Sequence, residues 1–225
     1  MNMATSMKWH VSAAAVEESR RLLLGGDFCP IRRFEEKMRD GEAVFASELL
    51  ERFHATDLFM VNLEAPLCDE ALSPEGAYGL RAAPAVAGML KDFNIGLATL
   101  ANNHLRDFGD DGVRQTIRAL DAAGVPHAGA GESLAEANRM RIVDLDGFKL
   151  GVWALAEKEQ NVADETRPGS SFFHPELNVR EIPTLRSQVD FLLLFVHAGH
   201  EFMLTPSPRI RQAYRAFIDA GADAV

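Results

Sequence analysis

A layered α/β fold, with a mainly parallel mixed β-sheet flanked by helices, is predicted by three observations. The chain has 225 residues, 47% of them hydrophobic, enough to bury one substantial core. Four short apolar runs each close on a polar group: Leu22-Leu-Leu-Gly-Gly-Asp27, Leu58-Phe-Met-Val-Asn62-Leu-Glu64, Leu97-Ala-Thr-Leu-Ala-Asn-Asn103-His104 and Phe191-Leu-Leu-Leu-Phe-Val-His197-Ala-Gly-His200-Glu201. Runs this continuous suit parallel strands buried on both faces. Finally, Met140 to Leu155 alternates around Asp146-Gly147, the signature of a hairpin, so one antiparallel excursion is expected.

The intervening segments follow in order. Phe34, Met38, Val44, Phe45, Leu49, Leu50 and Phe53 have helical spacing between Arg32 and Thr56, interrupted near Asp40-Gly41. Ala65 to Gly79 carries Pro and Gly without period and reads as a loop over the strand ends. Pro84 to Phe93 is a short helix, and Ile95 to Leu100 the third strand. A helix starting at Asp110 or Asp111 runs through Val113, Ile117 and Leu120 and stops at Ala123-Gly124. Val125 to Gly131 is a short strand with a glycine turn, and Ser133 to Asn138 a brief helix. Glu157 to Pro183 reads as a polar, irregular loop with a turn at Pro168-Gly169. A last helix, Pro208 to Ala220, leads into Gly221-Ala-Asp-Ala-Val225, which reads as a strand cut off after its start.

In open parallel sheets, ligands bind beyond the carboxyl ends of the strands. Asp27, Glu64, Asn103 and His197 are therefore expected on one edge of one sheet, although they are far apart in sequence. Such an oxygen-rich set with one imidazole suits manganese, zinc or iron better than a thiolate zinc site. His104 can exchange a proton near neutral pH, and Asp107, three residues on, is placed to orient it. Each residue taken singly has an ordinary alternative, a turn hydrogen bond or a helix cap. Asn102 reads as holding its loop through backbone hydrogen bonds, and Cys29 as either a small buried apolar group or a ligand. Arg81 and Arg106 could meet an anionic substrate or serve local ion pairs, while His200 and Glu201 either face substrate or lie on a surface turn.

The formal net charge of -10 excludes a general nucleic-acid or anionic-membrane binder. It still permits an anionic substrate, since a cation can reverse the field in a cleft. Two cysteines, Cys29 and Cys68, cannot make a disulfide framework, and a reducing cytoplasm is the simpler home. The patch Val11 to Val16 is too short for a signal peptide or membrane span and is followed by Glu17 and Glu18. Residues 1–20 are expected to be an N-terminal extension.

Gly26-Asp27, Asn62-Leu-Glu64-Ala-Pro66, Ala101-Asn-Asn-His-Leu-Arg-Asp-Phe-Gly109, Gly129-Ala-Gly131 and His197-Ala-Gly-His-Glu201 stand in an order that resembles the CapA-type capsule-synthesis proteins. That family is associated with poly-γ-glutamate and resembles a branch of the calcineurin-like metallophosphoesterase superfamily. The resemblance implies a metallophosphoesterase-like domain over residues 21–225 with a dinuclear metal site. Its metal ligands would include Asp27, Glu64, Asn103 and His197, with His104 and Asp107 as the catalytic pair. Two departures stand out: Cys29 occupies the place, two residues beyond the first aspartate, where the superfamily usually has a histidine, and the final glycine and histidine motif would begin beyond Val225. The domain is therefore expected to be incomplete at its C-terminus, with divalent metal weakly held or absent. Three readings follow: metal-dependent hydrolysis of a phosphoester-type anionic small molecule, a non-hydrolytic accessory protein that binds polyglutamate or a capsule-synthesis partner, or an inactive truncated fragment.

Overall fold

The computed structural model describes residues 19–75, 79–159 and 161–225. The expected extension over residues 1–20 lies outside the described residues except for Ser19 and Arg20. The first half runs β1 (Leu22–Phe28), α1 (Arg33–Arg39), α2 (Ser47–His54), β2 (Leu58–Leu63), α3 (Val86–Met89), a 3₁₀ turn (Leu90–Phe93), β3 (Ile95–Thr99), α4 (Gly109–Ala123) and β4 (His127–Ala128). The second runs β5 (Ala130–Gly131), α5 (Leu134–Ala137), β6 (Arg141–Leu145), β7 (Phe148–Ala156), β8 (Gly169–Ser170), α6 (Pro175–Arg186), β9 (Phe191–His197) and α7 (Pro208–Asp219).

The strands form two main sheets. Strands β1 to β4 pair in parallel in chain order, whereas β6, β7 and β9 form a second sheet with an antiparallel hairpin and a parallel β7–β9 pair. The alternation of side chains along each strand builds four layers. Phe59, Val61 and Leu63 of β2 face α1 to α4, together with Met38, Phe53, Val113 and Leu120. Leu58 and Met60 face the other way and meet Leu150, Val152 and Leu193 of the second sheet. That sheet in turn presents Trp153, Leu155, Leu192 and Leu194 to Ile182 of α6 and Phe217 of α7. The order is helix, sheet, sheet, helix. Each fully buried side chain such as Met60 or Leu97 contributes about 1.5–3 kcal/mol of transfer free energy.

This corrects the expectation of one sheet for all four strand ends. A run buried on both faces looks the same whether its two neighbours are helix and helix or helix and sheet, so the pattern did not distinguish one sheet from two facing sheets. The Asp146-Gly147 hairpin is present, but it opens the second sheet. The segment from Glu157 to Pro183 is not all irregular either: Gly169–Ser170 pairs with Ala130–Gly131, and α6 starts with Pro175 in its first turn. Proline is tolerated there because that N–H has no intrahelical acceptor; Pro183 inside the same helix masked the periodicity. The C-terminal segment makes one isolated parallel bridge, Ala224 to Leu193 of β9.

Two glycines position the strand ends. Gly26, at φ +67°, lies in a register shift of β1 between Leu24 and Asp27, so that Asp27 comes level with Asn62 of β2. Gly129, at φ +85°, sits where the sheets meet; a Cβ there would lie 2.8 Å from both Ala101 and Ala154. A seam of Ala101, Ala128, Ala154 and Ala156 lines this junction, and its small side chains let the sheets approach beneath the strand ends.

Candidate metal centre

The approach of the two sheets brings together groups that the chain keeps far apart. Asp27 ends β1, Glu64 follows β2 and His197 ends β9; one ligand atom from each lies within 4.8 Å of the others. His197 Nδ1 is 3.3 Å from Asp27 Oδ1, and its Nε2 is 3.6 Å from Glu64 Oε1 and 3.0 Å from Asn103 Oδ1. All four residues line a cavity of about 360 Å³, which His200 and Glu201 also border from the loop after β9. Glu157 and Glu159 add two further carboxylates to its wall.

The electrostatics follow from this crowding. Asp27 is held below the ordinary carboxylate range, chiefly by its hydrogen bond to His197 and further by Asn62, against the effect of burial. Glu64 moves the other way, because burial and then the Asp27 charge disfavour its ionised form. Burial works to lower the pKa of His197, but the hydrogen bond and charge of Asp27, with Glu64, carry it above the ordinary value. Two carboxylates, an imidazole and an amide oxygen form a hard, mixed donor set. In donor chemistry and spacing it fits a divalent cation.

Beside it, the turn after β3 holds a second pair. His104 Nδ1 lies 3.0 Å from Asp107 Oδ2, which also accepts the Leu80 N–H at 2.8 Å. The hydrogen bond to Asp107 raises the His104 pKa, outweighing burial. Asn102 fixes this turn: its Oδ1 accepts the His104 N–H at 3.1 Å, and its Nδ2 donates to the Leu63 carbonyl at 2.9 Å.

Other residues lie elsewhere. The Arg106 guanidinium is held by Asp110 at 2.7 Å and by the Pro168 carbonyl. Arg81 reaches the Cys68 carbonyl at 3.3 Å and Glu70 at 3.7 Å. Neither arginine borders the cavity at His197. Cys29 lies 3.5 Å from the Glu64 carbonyl, and burial, with the charges of Glu64 and Asp27, pushes its thiol up to about 11. It is therefore a protonated thiol at neutral pH and a poor ligand in this state. Three residues that sequence reading did not assign to the site support it: Asn62 and Asn161 from behind, and Glu157 from the cavity wall. Asn62 could have been found, because an amide inside the wholly buried strand β2 must be hydrogen-bonded to something. Glu157 accepts the Gly199 N–H at 2.7 Å and pairs with Arg209, tying the His197 loop to the end of β7.

The architecture defines a class first. The chain superposes on the crystal structure of a candidate 5'-nucleotidase from Staphylococcus aureus with a TM-score of 0.55 at 13% identity, over 88% of this chain and 43% of that one. That likeness concerns the fold, a metallophosphoesterase-like α/β architecture. The particular family is set by sequence: the chain belongs to the bacterial capsule synthesis protein family PGA_cap, whose pattern matches residues 21–225. It is 27% identical over 142 residues to the capsule biosynthesis protein CapA of Bacillus anthracis, covering 60% of this chain and 34% of that protein. It is 29% identical over 140 residues to the PGA biosynthesis protein CapA of Bacillus subtilis (strain 168), covering 61% and 37%. The aligned region thus spans about a third of these curated relatives. Among the described residues no helix is long and apolar enough to cross a membrane.

Proposed function

We propose that this domain is a metal-dependent hydrolase of phosphoester-type bonds that acts in capsule or poly-γ-glutamate synthesis. The observation that carries the reading is the meeting of Asp27, Glu64 and His197 beside the His104–Asp107 pair. Asp27, Glu64, Asn103 and His197 would hold one or two divalent cations, manganese, zinc or iron by donor type. Cations bound there supply Lewis acidity toward an anionic oxygen and offset the surrounding carboxylate charge. His104, whose protonated form Asp107 favours, donates a proton to the departing oxygen, and because Nδ1 is bound to Asp107 the transfer falls to Nε2. Asp107 holds the ring in place and stabilises the imidazolium. His200 and Glu201, on the exposed loop at the cavity rim, would meet the body of the substrate. Arg81 and Arg106 would enter only by leaving their present partners. The two free thiols suit a reducing compartment such as the cytoplasm.

The test is phosphate release from a panel of phosphoesters with added manganese. Release that requires manganese and falls in His104→Asn supports the reading; a manganese-loaded protein that releases none across the panel refutes it. The names of the CapA relatives favour a second reading, in which the cleft binds polyglutamate or a synthesis partner without hydrolysis. Polyglutamate capture that persists after chelation, with no turnover, would select it.

A further inference from the structure

Behind the proposed ligands lies a chain of three buried amides whose orientations are set one by one from the backbone. Asn62, Asn102 and Asn161 are 1%, 0% and 0% exposed. Asn161 Oδ1 accepts the Glu159 N–H at 2.8 Å, so its Nδ2 must be the group facing the Asn102 carbonyl at 3.0 Å and the Glu157 carbonyl at 3.2 Å. In Asn102, Oδ1 accepts the His104 N–H, so Nδ2 faces the Leu63 carbonyl and, at 3.0 Å, Asn62 Oδ1. A backbone N–H can only donate and a carbonyl only accept, which leaves no freedom to flip either amide. Asn62 is thereby obliged to turn its acceptor inward and its NH₂ outward. That NH₂ lies 2.7 Å from Asp27 Oδ1 and 3.1 Å from His197 Nδ1.

We infer that Asn62 is a positioning residue, held by Asn102 and Asn161, whose fixed NH₂ occupies Asp27 Oδ1 and sets the rotation of the Asp27 carboxylate, which in turn meets His197 Nδ1. Asp27 needs such a guide. It follows a glycine at positive φ in a register shift, and its side chain is 54% exposed. An unguided carboxylate there could rotate freely. With Oδ1 engaged, Asp27 offers a cation one oxygen in place of two. The amide chain also joins β2, the turn carrying His104 and the segment carrying Glu157 and Glu159, so these keep a common frame.

This deepens the proposed metal-centre reading and rests on it for the metal measurement, so the experiment has two arms. Cobalt(II) is titrated into wild type and Asn62→Ala, following affinity and the visible absorption spectrum. The His197 ring nitrogen shifts of both are recorded by NMR in the metal-free chain. Loss of a partner behind a ligand typically costs about 10- to 100-fold in metal affinity; that loss is expected, with a changed cobalt spectrum and moved His197 signals. If alanine at this buried strand position prevents folding, Asn62→Thr replaces it. Threonine suits a central strand, and its hydroxyl is one bond too short to replace the amide nitrogen, so the same changes are expected. Wild type that binds cobalt beside a folded variant with the same affinity, spectrum and His197 signals would overturn the positioning role and leave the metal reading standing. Wild type that takes up no cobalt, with His197 signals that still move in the variant, would sink the metal reading and support the positioning role.

Discussion

The site contains two histidine–carboxylate pairs of opposite construction. His104 and Asp107 are three residues apart in one turn; their side chains are 14% and 11% exposed, and a backbone N–H from Leu80 donates to the same carboxylate oxygen that meets His104. His197 and Asp27 are 170 residues apart, come from facing sheets and leave Asp27 open to solvent. The first pair is made by local chain geometry. The second exists only because two sheets pack at a set distance, with alanines and Gly129 at the seam. A local pair is suited to holding a proton in a fixed orientation, whereas a long-range cluster of donors can be completed and tightened by a cation.

The strongest way to break this comparison is to remove the long-range imidazole. His197→Ala should weaken manganese binding by more than about a hundredfold, since a direct ligand is worth more than a partner behind one, and turnover should fall to background. Calorimetry and phosphate release read both; metal retained at wild-type affinity would place the centre elsewhere. His104→Asn should behave differently, losing about 10²- to 10⁴-fold in turnover, the usual worth of a general acid, while keeping its metal. Equal loss of metal in both variants would erase the distinction. A third change acts on the packing between the sheets. Met60 is fully buried between the sheets, and Met60→Ala should cost about 2–5 kcal/mol in a urea melt. If the long-range pair depends on that packing, manganese affinity should weaken in this variant while the NMR signals of His104 stay in place. Movement of His104 without loss of metal would reverse the comparison.

The same contrast governs what could be read from sequence. The His104 and Asp107 contact was legible, because a three-residue spacing at a helix entry confines both side chains to one side of the chain. The candidate ligands were legible as types, since an apolar run ending in Asp, Glu, Asn or His marks a strand end. The partner sheet of β9 was not: Phe191 to Val196 is apolar at every position, and only the structure shows Leu192 and Leu194 turned to the helices and Leu193 to the other sheet. Asn62 was quoted within a motif, but its hydrogen bonds span 35, 40 and 135 residues and have no local signature. Arg81 and Arg106 show the reverse limit. Their charge is legible, but whether a guanidinium meets a ligand or a neighbouring acid depends on a few ångströms of loop path.

The smallest expected effect separates the pairs by pH, in the metal-free chain. The His104 pKa is raised above its ordinary 6.5 by the Asp107 hydrogen bond. Below pH 6.5 the folded and unfolded states both carry the proton, and the pair's contribution is fully present. As pH rises above 6.5 the unfolded chain releases its proton first, so stability is lost progressively until the folded-state pKa is passed. His197 titrates with the same sign, but Asp27 has the opposite one: its lowered pKa gives stability that is present above 3.8 and lost as pH falls through the folded value. His127, lowered by burial, likewise loses stability on the acid side, as pH falls below 6.5. Urea midpoints of the chelated protein should therefore decline on the alkaline side of pH 6.5. His104→Asn should flatten part of that decline, the His197 share remaining. An alkaline limb identical in wild type and His104→Asn would mean that the Asp107 bond does not hold a proton on His104, and the short-range pair would lose its role as the proton donor.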